Sequence, residues 1–110
     1  MEIARGDIVI VAAKGSYTGK PRPALVVQAD LFNDTHASIT VCPITTDCVD
    51  ASLFRVALPP GPTTGLSQVS QIMVDKVVSV PRGAISRRIG RCGPPPIDQV
   101  SDALRLWLDL

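Results

Sequence analysis

Lys20 and Arg22 are each followed by a proline in the stretch Gly19-Lys20-Pro21-Arg22-Pro23-Ala24-Leu25-Val26-Val27-Gln28, so two positive charges stand before an apolar run of strand character. A proline fixes its own φ and pushes the residue before it into extended geometry, which holds both cations on a stiff stalk where the strand begins. Arginine stays protonated at any working pH, and its planar fork of N–H donors suits a phosphate or a carboxylate. Two kinds of partner compete for Arg22. One is an anionic ligand; the other is an internal acid such as Asp7 or Asp30 that would merely close a loop.

Further groups with chemical potential are spread along the chain. Thr45 and Thr46 come where the run Ile39-Thr40-Val41-Cys42-Pro43-Ile44 ends, and a hydroxyl at a strand end can donate to a phosphate oxygen or simply suit the strand and turn. Tyr17 lies in the polar, glycine-bracketed segment Gly15-Ser16-Tyr17-Thr18-Gly19; it can stack on an unpaired base or pack back over its own hairpin. Gln68, Ser70 and Gln71 alternate with apolar residues, and reach a groove or form the polar face of a strand. The densest basic segment, Ile85-Ser86-Arg87-Arg88-Ile89-Gly90-Arg91, offers Arg87 to nucleic-acid phosphates or to solvent on an edge strand. His36 is the one imidazole, in a turn, and is expected at the surface; a two-histidine acid-base mechanism is ruled out by number.

The elements that must position these groups are mostly strands. Arg5-Gly6-Asp7 makes a turn into Ile8-Val9-Ile10-Val11-Ala12-Ala13, a β-branched run that reads as a strand buried on both faces or in a small barrel. Ala24 to Gln28 is the second strand, Asp30 to Asn33 a helical turn capped by Asp30, and Ile39 to Thr46 the third strand, with Pro43 marking an edge or a bulge. Residues 51–58 and 67–74 read as strands separated by the Pro59-Pro60-Gly61-Pro62 break. Residues 75–81 lead to the basic segment. Pro94-Pro95-Pro96 then starts one long helix, Ile97 to about Leu108, with Ile97, Val100, Leu104, Trp107 and Leu108 on a single apolar stripe.

Composition narrows the class. At 110 residues the chain is one domain, 1–110, with room for a modest core. Apolar residues make up 45% and aromatics 4%, so that core is aliphatic and strand-rich. A net charge of +1 with 19% charged residues excludes a polycation, and any nucleic-acid contact must come from a local patch. Cys42, Cys48 and Cys92 are an odd number without CxxC spacing, and with a single histidine they do not supply metal-ligand spacing. No cofactor is expected. Without a signal peptide or a membrane-length apolar run, a reduced, cytoplasmic protein is expected.

Arg5-Gly6-Asp7-Ile8-Val9, Gly19-Lys20-Pro21-Arg22-Pro23-Ala24-Leu25-Val26-Val27, Phe32-Asn33, Val41-Cys42-Pro43-Ile44-Thr45 and Gln71-Ile72-Met73-Val74-Asp75-Lys76 follow in an order and spacing that resembles the MazF/PemK family of toxin endoribonucleases. The resemblance covers nearly the whole chain. It implies a mainly β fold with a C-terminal helix, an SH3-like small β-barrel related to the gyrase poison CcdB, and a homodimer neutralised by a cognate MazE-like antitoxin. It also implies metal-independent cleavage of single-stranded mRNA, leaving 2′,3′-cyclic phosphate and 5′-hydroxyl ends. The family's catalytic arginine and threonine match Arg22 and Thr45, and RNA contacts are expected from Lys20, Tyr17, Gln71 and Arg87. Departures from the family pattern are Ser70, where some relatives carry a catalytic aspartate, and Met73, where many carry arginine. The competing reading is a non-enzymatic, CcdB-like toxin that binds DNA gyrase through its carboxy-terminal residues, with Trp107 as the candidate contact.

Overall fold

The computed structural model describes residues 1–12 and 20–110. Among them seven strands form: β1 (Asp7–Val11), β2 (Arg22–Val26), β3 (Ser38–Thr45), β4 (Arg55–Leu58), β5 (Ser70–Met73), β6 (Val78–Pro81) and β7 (Ile85–Arg91). Helix α1 (Asp30–Asn33) is a single turn and α2 (Pro94–Leu108) closes the chain. The pairing is antiparallel throughout and follows the path β4-β5-β3-β2-β1-β7, with β6 as a further partner of β3. A mainly β fold with a carboxy-terminal helix is therefore what these residues adopt.

Alternation explains how the sheet is buried. Ile8, Leu25, Cys42 and Ile44 enter one apolar cluster with Val56, Leu58, Ile72, Val74, Val100 and Ala103, while Val9, Val11, Ala24, Val26, Ile39 and Val41 enter a second with Ile3 and Ile85. Successive residues of a strand point to opposite faces, so β1, β2 and β3 are covered on both sides. Helix α2 covers the first cluster, and the amino terminus with the β6–β7 connection covers the second. Each fully buried aliphatic side chain contributes about 1.5–3 kcal/mol, which is how a core nearly without aromatics suffices.

Two local expectations are corrected, and the helix adds a detail. Pro43 lies in a central strand, not at an edge: it pairs with Ala24 of β2, and on its other flank β3 passes from β6, ending at Val41 opposite Val78, to β5, starting at Ile44 opposite Ile72. A residue without an N–H thus falls where β3 changes partners. Asp30 does not cap α1; Ala29 holds the cap position, and the Asp30 carboxylate instead accepts from the backbone N–H of Arg5 at 2.7 Å and from Asn33 Nδ2 at 3.1 Å. The apolar stripe of α2 is buried through Val100 and Ala103, whereas Trp107 and Leu108 remain 51% and 50% exposed. Trp107 packs tilted against the ring of Phe54, 5.9 Å between centroids.

Strand limits are shorter than the pattern suggests at two places. Residues 51–54 form a turn before β4, since the Phe54 and Arg55 amides donate to the Ala51 carbonyl. Residues 67–69 lie outside β5. The loop before them is pinned by two glycines. Gly65, at φ +73°, and Gly90 each lie so close to backbone, of Ile89 and of Thr64 respectively, that a Cβ would collide with it. The Arg91 N–H to Thr63 carbonyl bond, 2.9 Å, closes that contact. Leu66, Ser67 and Gln68 are fixed by it against the open end of the sheet.

Candidate active site

Register brings the two principal candidates together. Ala24 faces Pro43 and Leu25 faces Cys42, and the same antiparallel register continued by two residues makes Arg22 level with Thr45. On the far side Thr45 faces Gln71 of β5, which faces Ala57 of β4. A row of side chains therefore crosses four strands on one face, with Arg55 two residues from Ala57 on that same face. Val11 of β1 pairs with Arg22 and anchors the outer end of the row.

Arg22 and Thr45 line one cleft of about 220 Å³, together with Pro23, Ile44, Thr46, Leu66, Ser67, Gln68 and Ser70. The prolines hold the arginine extended at the cleft's rim. Neither internal acid takes Arg22. Asp7 is buried between Arg88 at 3.7 Å and Arg91 at 3.6 Å and accepts from the Ala4 N–H, while Asp30 is occupied by Arg5 and Asn33. Among the described residues Arg22 has no ion pair, and its guanidinium is exposed.

Thr45 is oriented. Its Oγ1 accepts from the backbone N–H of Asp47 at 3.0 Å, so the hydroxyl proton remains available to donate into the cleft. Ser70 is different: its side chain is buried and its Oγ donates to the Gln68 carbonyl at 2.9 Å, so that hydroxyl is already used. No carboxylate or imidazole is among the described residues that line the cleft. His36 is exposed before the start of β3, and Thr45 ends that strand, a separation on the order of 20 Å or more at ~3.3 Å per residue.

The remaining candidates lie apart. Lys20 is exposed immediately before Pro21 and outside the cleft lining. Tyr17 lies outside the described residues. Arg87 stands exposed on β7, level with Ile10, and of the basic segment it is Arg88 and Arg91 that pair with Asp7. Gln71 neighbours Thr45 in the ladder, but its amide is committed: Oε1 accepts from the Val49 N–H and from Arg55 Nη1, each at 3.1 Å, and Nε2 donates to the Val49 carbonyl at 2.9 Å. Sequence reasoning missed Arg55, Leu66 and Ser67 near the site. Period-two spacing from Ala57 was the available signal for Arg55, while nothing local marks Leu66 and Ser67, which a glycine contact with β7 brings there. A larger groove of about 330 Å³ between β4 and α2 includes Ser52, Leu53, Arg55, Gln99, Asp102 and Leu106; its arginine already donates to the Asp47 carbonyl and to Gln71, and its lining includes a carboxylate.

A cation and an aimed hydroxyl at one cleft are suited to a phosphodiester. The sequence profile of the PemK-like, MazF-like toxins of type II toxin-antitoxin systems matches residues 4–108. The chain belongs to this PemK/MazF family. This family member is 48% identical over 106 residues to the probable endoribonuclease MazF of Mycolicibacterium smegmatis, an alignment covering 96% of each chain. It is 34% identical over 114 residues to the endoribonuclease MazF9 of Mycobacterium tuberculosis, again over 96% of each. Its PemK/MazF fold also superposes on the MazE–MazF complex of Deinococcus radiodurans with a TM-score of 0.83 at 22% identity, covering 100% of this chain and 99% of the other. An endoribonuclease solved with its cognate antitoxin from a mycobacterial species gives 0.76 at 18% identity, over 99% of this chain and 95% of the other.

Proposed function

We infer that this PemK/MazF-family chain is an endoribonuclease toxin of a type II toxin-antitoxin pair, the activity named for its 48% identical relative. Its substrate is single-stranded mRNA, cut without a metal. The observation that carries the reading is the shared cleft, lined by an exposed Arg22 and by Thr45 with its proton to give.

RNA supplies its own nucleophile. The 2′-oxygen attacks the adjacent phosphorus and forms the new P–O bond of a cyclic phosphate. The bond from phosphorus to the 5′-oxygen breaks. The 2′ proton passes to water, and the departing 5′-oxygen takes a proton from water, leaving a 5′-hydroxyl. Negative charge grows on the non-bridging oxygens as this happens. A fixed guanidinium and an aimed hydroxyl stabilise that charge more than the ground state, which is the differential binding that lowers a barrier. DNA lacks the 2′-hydroxyl and is not cut. Lys20, Arg87 and Tyr17 hold the strand on either side, the cations through phosphates and the tyrosine by stacking on a base. The toxin acts in the cytoplasm as a homodimer and is silenced by a MazE-like antitoxin, as the resemblance implies.

Incubating the protein with a long single-stranded RNA in EDTA tests this. Cleavage with cyclic-phosphate ends, abolished in Arg22→Ala and Thr45→Ala, is the expected result. Intact RNA together with gyrase-dependent DNA breaks would overturn it in favour of the gyrase-binding alternative.

A further inference from the structure

We propose that Arg55 and Gln71 are positioning residues for Thr45. They fix the backbone of residues 47–49, and that segment's first N–H aims the threonine hydroxyl. The proposal rests on Thr45 being the hydroxyl that donates to the phosphoryl oxygen.

The segment follows the end of β3 without a strand partner, and Asp47, Cys48, Val49 and Asp50 are all exposed, Val49 by 44%. Within it the Cys48 N–H donates to the Thr46 carbonyl at 3.1 Å, and Cys48 Sγ lies 3.9 Å from the Val69 carbonyl. Side chains of the sheet add the remaining polar contacts. Arg55 Nη1 donates to the Asp47 carbonyl at 3.2 Å and to Gln71 Oε1 at 3.1 Å. Gln71 in turn binds both backbone groups of Val49, accepting its N–H and donating to its carbonyl, as a neighbouring strand would. The peptide groups on either side of Cys48 are thereby tied to β4 and β5. The Asp47 N–H, 3.0 Å from Thr45 Oγ1, is the output of this clamp.

Arg55 Nε is buried with no partner. The guanidinium is thus not placed for its own best solvation; its Nη1 is the end that is used. Gln71 is also level with Thr45 in the β3–β5 ladder, so clamp and hydroxyl share one rigid frame. A hydroxyl that lost the Asp47 N–H would be free to turn about χ1 and would spend most of its time pointing elsewhere. Misplacing a reacting contact by about 1 Å is enough to cost on the order of 100-fold in rate.

The test uses Arg55→Met and the milder Gln71→Glu, each in the native protein and in a Thr45→Val background. Cleavage of a single-stranded RNA oligonucleotide and amide exchange at Asp47 and Val49 are both measured. In the native background Arg55→Met is expected to lower kcat by about 100-fold while KM changes less than about twofold. Exchange at both amides should quicken, and Arg55→Lys should recover part of the rate. Gln71→Glu retains the acceptor for Arg55 and for the Val49 N–H and gives a smaller loss in the same direction, which keeps the test decisive should Arg55→Met fail to fold. In the Thr45→Val background neither substitution should lower kcat further. Equal losses in both backgrounds, a loss expressed in KM, or unchanged exchange at Asp47 and Val49 would each refute the positioning role. Full activity in Thr45→Val alone would refute the role of Thr45 instead, and the exchange rates would still decide whether Arg55 and Gln71 hold the segment.

Discussion

The Asp47 N–H donates to Thr45 Oγ1 across 3.0 Å, which turns a strand-end threonine into a hydroxyl with a fixed direction and one proton to give. Level with it on β2, Arg22 has no carboxylate partner among the described residues. The pair is a cation and a hydroxyl donor presented side by side by two neighbouring strands.

Removing either donor should act on the chemical step. Thr45→Val and Arg22→Met are each expected to lower kcat by about 100- to 1000-fold, on the order of 3 kcal/mol in the barrier. Thr45→Ser should retain more activity than Thr45→Val because Asp47 can still orient a hydroxyl. Arg22→Lys keeps the charge but loses the fork, and should fall between native protein and Arg22→Met. Single-turnover cleavage of a short RNA checks the order of the four.

Lys20 and Arg87 are exposed and lie outside the cleft lining, so their contribution should appear in binding. In the inactive Thr45→Ala protein, log affinity for single-stranded RNA should fall with log salt, and each of Lys20→Ala and Arg87→Ala should shallow the slope by about 0.7. Arg88→Ala should instead lower the melting temperature, because Arg88 answers the buried carboxylate of Asp7. A salt titration of the variants distinguishes the two behaviours.

The three cysteines should differ in reactivity by environment. Burial pushes the Cys42 thiol up to about 12, helped by the nearby Asp75 carboxylate, and burial pushes Cys92 up to about 11 against the opposing charges of Arg5 and Arg91. Cys48 is exposed. Because the thiolate is the reactive form, only Cys48 should label in the native protein at mildly alkaline pH, and all three should label in denaturant. Mass spectrometry of iodoacetamide adducts gives the count, and native labelling at Cys42 would contradict the packing described above.

Asp30 should make part of the fold acid-sensitive. The Arg5 backbone N–H, and after it Asn33, hold its carboxyl below the ordinary value of 3.8. The folded state therefore favours the ionised form; this contribution is complete above 3.8 and is lost as pH falls through the lowered value. Asp30→Asn should flatten the dependence of melting temperature on pH between about pH 5 and pH 2, leaving a smaller difference from the native protein at the acid end.

The sequence by itself determined the strand-rich class, the terminal helix and the placement of Arg22. These follow from local rules: β-branched runs favour extended backbone, prolines open a helix, and X-Pro pairs stiffen the residue before them. The sequence also put Arg22 and Thr45 together through the ordered motifs of a family, and that resemblance extends to the profile match over residues 4–108. Only the tertiary structure decided what Arg22, Gln71 and Arg55 do with their polar groups. On paper Asp7 was a candidate partner for Arg22, and register gave it to Arg88 and Arg91. Gln71 read as a groove residue because alternation fixes its face but not its hydrogen-bond partner, and that partner, Val49, is 22 residues away in the chain. Local preferences set φ, ψ and period; partners for charges and amides are chosen by which strands happen to lie side by side, and that choice is where the hydroxyl of Thr45 acquires its aim.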